Sequence, residues 1–450
     1  MVETWAITSA DLHLDVSGTR VRSALEAALR DAVTGGRLAP GVRLPSSRAL
    51  AGDLGVARNT VADAYGQLVA EGWLTAQVGS GTRVAQRATA PQDPPRRPPA
   101  APPVRYDLRA GSPTLAAFPR SGWLAAARRA LADAPADVFG YTDPRGQPVL
   151  RAALADYLAR ARGVRVTPDR IVVCAGFTQA LGLLARVLGG PLAVEDHGHA
   201  AHRAIAEHAG ARVTTVPVDR HGARIETDAH AVLLTPAHQF PLGVPLTAHR
   251  RQEALAWARD TGGVLIEDDY DGEFRYDRHP VGALQALAPG HVVYAGTASK
   301  TLAPGVRLAW LVLPPALADD VVAAKRLTDG HCGATDQLTL AEFLSSGGYD
   351  RHVRRCRLAY RRRRDHLVTA LPDTTVTGIA AGLHALVEVP GEAAVVAEAA
   401  RAGLAVEGLA EYRRGGRDHG PALVVGYATP PDHAYTASVA RLAAVLARRR

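Results

Sequence analysis

The chain has 450 residues, 47% of them apolar and 5% aromatic, enough to build more than one hydrophobic core and too apolar for a disordered protein. With 52 Lys plus Arg against 44 Asp plus Glu the net charge is +8, too mild to mark a polybasic tail or to identify a partner. Cys174, Cys332 and Cys356 lack CxxC or Cys/His ligand spacing, no run is apolar over the length of a membrane span, and Met1-Val2-Glu3-Thr4-Trp5 lacks the parts of a signal peptide, so free thiols and a cytoplasmic location are expected.

Val21, Leu25, Ala28, Leu29 and Ala32 recur at helical spacing until Gly35-Gly36, which predicts a first helix. A second short helix starts at Ser46 or Ser47, after Pro45, and reaches Leu54-Gly55; a third runs from about Arg58 to Ala70 on the stripe Val61, Tyr65, Leu68 and Val69. These two make a helix-turn-helix. Trp73-Leu74-Thr75 and Val78 to Val84 read as two strands around a glycine turn, a wing.

A helix-turn-helix sets its second helix in the major groove, N-terminus first. Arg58, Asn59 and Thr60 stand there, suited to guanine, adenine and phosphate in turn. Arg43, Ser46 and Arg48 surround the preceding helix, and Gly81-Thr82-Arg83 in the wing brings a cation toward the minor groove. Residues 1–84 hold as many acids as bases, which also suits a protein–protein module; the ordered pattern favours double-stranded DNA.

Residues 89–103 (TAPQDPPRRPPAAPP) can neither form a helix nor bury a core and read as a semi-rigid linker. The expected organisation is therefore a winged helix over 1–86, a linker over 87–104 and a large domain over 105–450. In the large domain, strand-like runs (Ile171-Val172-Val173, Leu192-Ala193-Val194, Val213 to Val216, Val232-Leu233-Leu234, Val264-Leu265-Ile266, Val292-Val293-Tyr294, Leu308 to Leu313) alternate with helical patterns. The expected class is α/β, a mostly parallel sheet with helices on both faces. After about Asp329 come an Arg-rich helix, with eight arginines in 351–364, and a few strands, a smaller C-terminal α+β subdomain. The basic helix reads as a solvated face or as a non-specific grip on DNA.

Of the 52 basic residues only Lys300 and Lys325 are lysines. Arginine cannot lose its proton to form an imine, so a surviving lysine needs a reason. Lys300 follows the strand Val292-Val293-Tyr294 within Gly296-Thr297-Ala298-Ser299-Lys300 and precedes Arg307: an amine to bond an aldehyde, with hydroxyls and a guanidinium to hold a phosphate. In Glu267-Asp268-Asp269-Tyr270, strand alternation puts Asp268 and Tyr270 on one face and Asp269 on the other. A carboxylate for a pyridinium nitrogen and a phenol for a ring hydroxyl suit pyridoxal phosphate (PLP). Gly176, Phe177 and Thr178 open a helix after a strand and offer N–H groups to the same phosphate. Taken singly, Glu267 to Tyr270 suit a solvated strand terminus and Lys300 a surface position better than a site; together, at consecutive strand ends of a parallel sheet, they favour the cofactor.

Leu44-Pro45-Ser46-Ser47-Arg48-Ala49-Leu50-Ala51, Leu54 to Val61 and Gly79-Ser80-Gly81-Thr82 resemble the winged helix of the GntR family of bacterial regulators. Ala57 stands where that family has serine, so a helix N-cap hydroxyl is missing. Residues from about Tyr106 onward resemble PLP-dependent fold-type-I aminotransferases, through Phe139 to Gly146, Thr235 to Pro241 and Gly296 to Leu308. The whole chain is similar to MocR-type regulators, in which an aminotransferase-like domain senses ligand. The resemblance implies that Lys300 forms the internal aldimine, Asp268 meets the pyridine nitrogen and Tyr270 the ring hydroxyl. It further implies that Thr297, Ser299 and Arg307 hold the phosphate, Tyr141 reaches it from a second subunit of a domain-swapped homodimer, and Gln239 lies beside the ring.

The chain departs from its relatives in two places. Glu195-Asp196-His197-Gly198-His199 replaces Asp-Pro-Gly-Tyr, so His199 would stack on the cofactor; a metal site at His197, His199 and His202 is the weaker reading. Leu423 to Tyr427 lacks the arginine that grips a substrate carboxylate, leaving Arg413, Arg414 or Arg417 to substitute. The favoured expectation is a PLP-responsive regulator of vitamin B6 or of amino acid and amine metabolism, sensing PLP itself or a small amine or amino acid. The alternatives are an active aminotransferase with a fused DNA-binding domain and a DNA-binding dimer with a vestigial PLP site.

Overall fold

Helix α1, Val21–Thr34, buries Leu25, Leu29 and Ala32, and α2, Ser47–Leu54, and α3, Arg58–Ala70, close around the same core with Leu50, Val61, Ala64 and Leu68. The computed structural model describes residues 21–77, 81–86, 104–276, 281–415 and 419–448. Residues 1–20, the wing turn at 78–80, the proline-rich stretch 89–103 and Arg417 lie outside the described residues. The chain divides into two units, Met1–Ala100 and Ala101–Arg450.

In the first unit Ser46 caps α2 by accepting the Ala49 N–H at 3.1 Å, and Gly55, left-handed at φ 66°, makes the turn to α3. Ala57 gives α3 no side-chain cap, as the sequence requires. Strands β1, Leu74–Gln77, and β2, Gly81–Val84, pair antiparallel and seal the core with Leu74 and Val84.

The second unit is built on a seven-stranded sheet. Its strands in chain order are β3 (Ile171–Cys174), β4 (Pro191–Glu195), β5 (Arg212–Val216), β6 (Ala231–Leu234), β7 (Val264–Asp268), β8 (Val292–Thr297) and β9 (Ala309–Val312), and across the sheet they run β3-β9-β8-β7-β6-β4-β5. Strand parity divides the core: Ile171 and Val173 enter one apolar cluster, Val172 and Cys174 another on the opposite face. Helices α4 (Phe177–Leu188), α5 (Ala200–His208) and α6 (Pro315–Thr328) pack on the latter cluster.

Strand β9 departs from the parallel expectation by pairing antiparallel with both β8 and β3. Parallel return needs a crossover of a dozen or more residues, usually helical; residues 298–308 contain only the short turn Pro304–Val306, so the chain comes straight back. Beyond it, the Arg-rich helix α7 spans Gly348–Ala370, and a four-stranded sheet containing Ala385–Glu388 and Ala422–Val425 forms the smaller subdomain. All three cysteines are buried and free.

Candidate functional site

Open α/β sheets bind ligands beyond the carboxyl ends of their strands. There this unit has a cavity of about 300 Å³, bordered by Glu195 at the end of β4, Asp268 at the end of β7, Thr297 at the end of β8, and Lys300. The Lys300 amine donates to the Gly111 carbonyl at 2.6 Å. Burial lowers its pKa, against the pull of Asp268 and Asp271.

Parity works as the sequence predicts. Asp268 and Tyr270 border the cavity, whereas Asp269 points into the protein, where Arg162 donates to it at 2.5 and 2.9 Å and the Tyr294 hydroxyl at 2.8 Å. The Asp268 carboxylate, in a residue only 5% exposed, accepts no hydrogen bond from the described residues. Burial drives its pKa well up, with Lys300 opposing. The Tyr270 hydroxyl donates to the His238 carbonyl at 3.0 Å, and His238 Nδ1 lies 2.8 Å from Asp271; neither partner was foreseen.

One wall is rich in donors. The Thr297 hydroxyl donates to Ser299 Oγ at 3.0 Å and accepts the Ser299 N–H at 3.1 Å. Gly176, at φ 91°, precedes α4 without a side-chain cap, leaving the first-turn N–H groups without helical acceptors; Phe177 and Thr178 border the cavity. Arg307 donates to the Ala175 carbonyl from a left-handed backbone at φ 53°.

The aromatic wall differs from expectation. His199 stacks on Phe240, with centroids 4.4 Å apart and planes 7° apart, so the chain itself covers one face of the imidazole. Burial and Lys300 push His199 down to about 4, and burial with His199 and Lys300 pushes His202 to about 3, so both are neutral at physiological pH. Gln239 does not border the cavity. Its amide donates to Glu195, the His197 carbonyl and the Phe240 carbonyl, and accepts the Leu242 N–H, so its donors are engaged within the protein. Glu195, Thr235 and Phe240 border the cavity instead.

Of the arginines considered for a carboxylate, Arg414 borders the cavity, its N–H anchored on the Asp196 carbonyl at 2.8 Å. Arg413 pairs by backbone with His197. Tyr141 is fully exposed (102%), with His331 edge-on at 6.2 Å, and lies outside its own chain's cavity. Among the described residues no group of three His, Cys, Asp or Glu side chains could hold a metal ion, and no helix is long and apolar enough to cross a membrane.

In the first unit Arg43, Ser46, Arg48, Arg58, Asn59, Gly81 and Arg83 are exposed and Thr60 and Thr82 half-buried. The Ser46 oxygen is engaged in capping α2, and Arg83 donates to the Gly41 carbonyl at 3.0 Å. Arg43 lies over Gly81, whose added Cβ would stand 3.0 Å from its Nε.

Residues 17–84 match the bacterial regulatory proteins of the gntR family, and residues 107–411 match aminotransferase class I and II. The chain is 36% identical to the HTH-type pyridoxine biosynthesis transcriptional regulator PdxR of Corynebacterium glutamicum, over 91% of this chain and 92% of the relative. It is also 36% identical to the "Probable rhizopine catabolism regulatory protein MocR" of Rhizobium meliloti, over 74% of each. The chain belongs to the MocR-type GntR regulators. This MocR-type chain thus joins a DNA-binding helix-turn-helix to an aminotransferase-like unit. The latter resembles the LysN α-aminoadipate aminotransferase of Thermus thermophilus, solved with N-(5'-phosphopyridoxyl)-L-leucine, at a TM-score of 0.68 and 25% identity over 76% of this chain and 92% of that one.

Proposed function

We propose that this regulator works in the cytoplasm, where its operator DNA is, as a homodimer that senses PLP in the aminotransferase-like unit. The observation carrying this reading is the convergence, in one cavity, of an amine, a buried carboxylate without a hydrogen-bond partner and a wall of donors. A phosphorylated pyridine aldehyde fits all three.

PLP, when bound, supplies an aldehyde to an amine and an electron-withdrawing ring. Lys300 is the amine, and its lowered pKa favours the neutral form that attacks a carbonyl. Asp268 keeps a proton on the ring nitrogen and gains the partner it lacks. Tyr270 orients the ring hydroxyl; Thr297, Ser299, Arg307 and the N–H groups of 177–178 hold the phosphate. His199, which borders the cavity, would stack on the ring. Tyr141, exposed on its own chain, suits a role at the partner's phosphate. The likeness to the pyridoxine biosynthesis regulator supports vitamin B6 genes as targets.

A second reading rests on Arg414. A guanidinium beside the cavity suits the carboxylate of an amino acid effector, and amino acid or amine metabolism would then be controlled. Absorption titration with PLP, borohydride reduction and peptide mapping test the site: the label is expected on Lys300, and label on Lys325 or on neither lysine defeats the assignment. Adding amino acids to the loaded protein separates the two readings, since a spectral change abolished by Arg414→Ala supports the second.

A further inference from the structure

The second lysine is also at this site, one layer behind it. Lys325, near the end of α6, is fully buried (0% exposed). Its amine donates to both Asp329 oxygens at 2.8 and 2.9 Å, to Gln179 Oε1 at 3.3 Å, and lies 3.4 Å from Cys332 Sγ. Gln179 closes the ring by donating to Asp329 at 2.7 Å.

This triad ends on the donor wall. Gln179 Oε1 accepts the Ala175 N–H at 2.8 Å, and the Ala175 carbonyl accepts from Arg307. Ala175 is therefore held at its N–H by the triad and at its carbonyl by Arg307. Its orientation sets that of Gly176 and of the first N–H groups of α4. An ammonium with three donors diverging from one buried nitrogen meets Asp329, Gln179 and Cys332, with Asp329 itself reaching solvent; a planar guanidinium is a poor replacement. That accounts for a lysine surviving in a chain where only two of 52 basic residues are lysines. Burial opposes its charge, but the Asp329 hydrogen bond and its neighbours hold the amine above the ordinary lysine value.

We infer that Lys325 is a positioning residue of the phosphate site: through Asp329 and Gln179 it fixes the Ala175 N–H and so the turn that leads into Gly176, and preference for a phosphorylated over an unphosphorylated pyridine aldehyde depends on it. The inference rests on the PLP reading of the cavity. It concerns specificity, since pyridoxal offers the same aldehyde and ring without the phosphate.

The test is to titrate the full-length protein with PLP and with pyridoxal, in wild type, Lys325→Met and Gln179→Ala. Gln179→Ala cuts the link at its other end and leaves the buried Lys325 paired with Asp329, so it reports even if Lys325→Met folds poorly. The expected result is a loss of PLP affinity of at least tenfold in the folded variants, with pyridoxal affinity within about twofold of wild type. Equal loss for both ligands, or an unchanged PLP preference in Gln179→Ala, overturns the inference while leaving the cavity's assignment intact. A wild type that binds neither ligand, or shows no preference for the phosphate ester, overturns the PLP reading and the inference with it.

Discussion

Gly176 lies against the guanidinium of Arg307 so closely that a Cβ at position 176 would stand 2.6 Å from Nη1. Its φ of 91° is also a conformation that L side chains rarely adopt. Gly176→Ala should therefore displace Arg307, lower the Tm and weaken PLP binding at least tenfold, about 1.4 kcal/mol. A PLP titration returning the wild-type Kd would dissociate Arg307 from the phosphate.

Arg58 heads the exposed N-terminus of α3 without a side-chain cap in front of it. As the base-reading residue it should cost about 1–3 kcal/mol of operator affinity when replaced by alanine, and relax sequence preference. Operator and random DNA are to be compared at one salt concentration; equal losses would reduce Arg58 to a phosphate contact.

Glu195 is buried, which pushes its pKa up to about 7, although Thr235 and Gln239 donate to it. Between about 4.5 and 7 the folded state therefore holds a proton that the unfolded state has released, and this group's contribution to stability falls as pH rises. Glu195→Gln removes that dependence and keeps an acceptor for Thr235. The Tm difference, variant minus wild type in the PLP-free protein, should grow from pH 5 to pH 8; parallel Tm profiles would contradict the burial argument.

Much of this site was legible in the sequence because its signals are local. Parity at a strand end separates Asp268 and Tyr270 from Asp269, and lysine scarcity singles out Lys300. The same scarcity marks Lys325; its partner Asp329 is four residues on at the end of the same helix, but Gln179 is 146 residues away and only the packing of α4 against α6 brings it in. Thr235 and Phe240 reach the cavity through a connection whose length says nothing about where they point, and of the three arginines considered from the sequence only the structure brings Arg414 to the cavity. Gln239 misled because a polar residue in a cofactor-like motif reads the same whether its amide faces a ligand or satisfies its own turn. The antiparallel direction of β9 was hidden for a similar reason: an apolar run carries no sign of direction.

Tyr141 is exposed on its own chain, so its assignment requires a partner. Tyr141→Phe and Lys300→Ala should each weaken PLP binding as pure homodimers. In mixed dimers, one site combines an intact Lys300 with an intact Tyr141 from the other chain. One tight PLP per mixed dimer is the expected outcome; absence of tight sites in the mixture, or a monomeric mass for the loaded protein, would refute the shared site.

The central claim is that PLP at Lys300 controls DNA binding. A bound ligand can shift the regulator only by its differential affinity for two states, so operator affinity must differ with and without PLP. The decisive measurement is the operator Kd of wild type and Lys300→Ala, each with and without PLP, alongside a transamination assay on common amino acids. The account predicts a PLP-dependent change in wild type that Lys300→Ala abolishes, with negligible turnover. An unchanged response in Lys300→Ala, or wild-type turnover at about 1 per second or faster, would contradict it and identify the unit as a working aminotransferase or a passive scaffold.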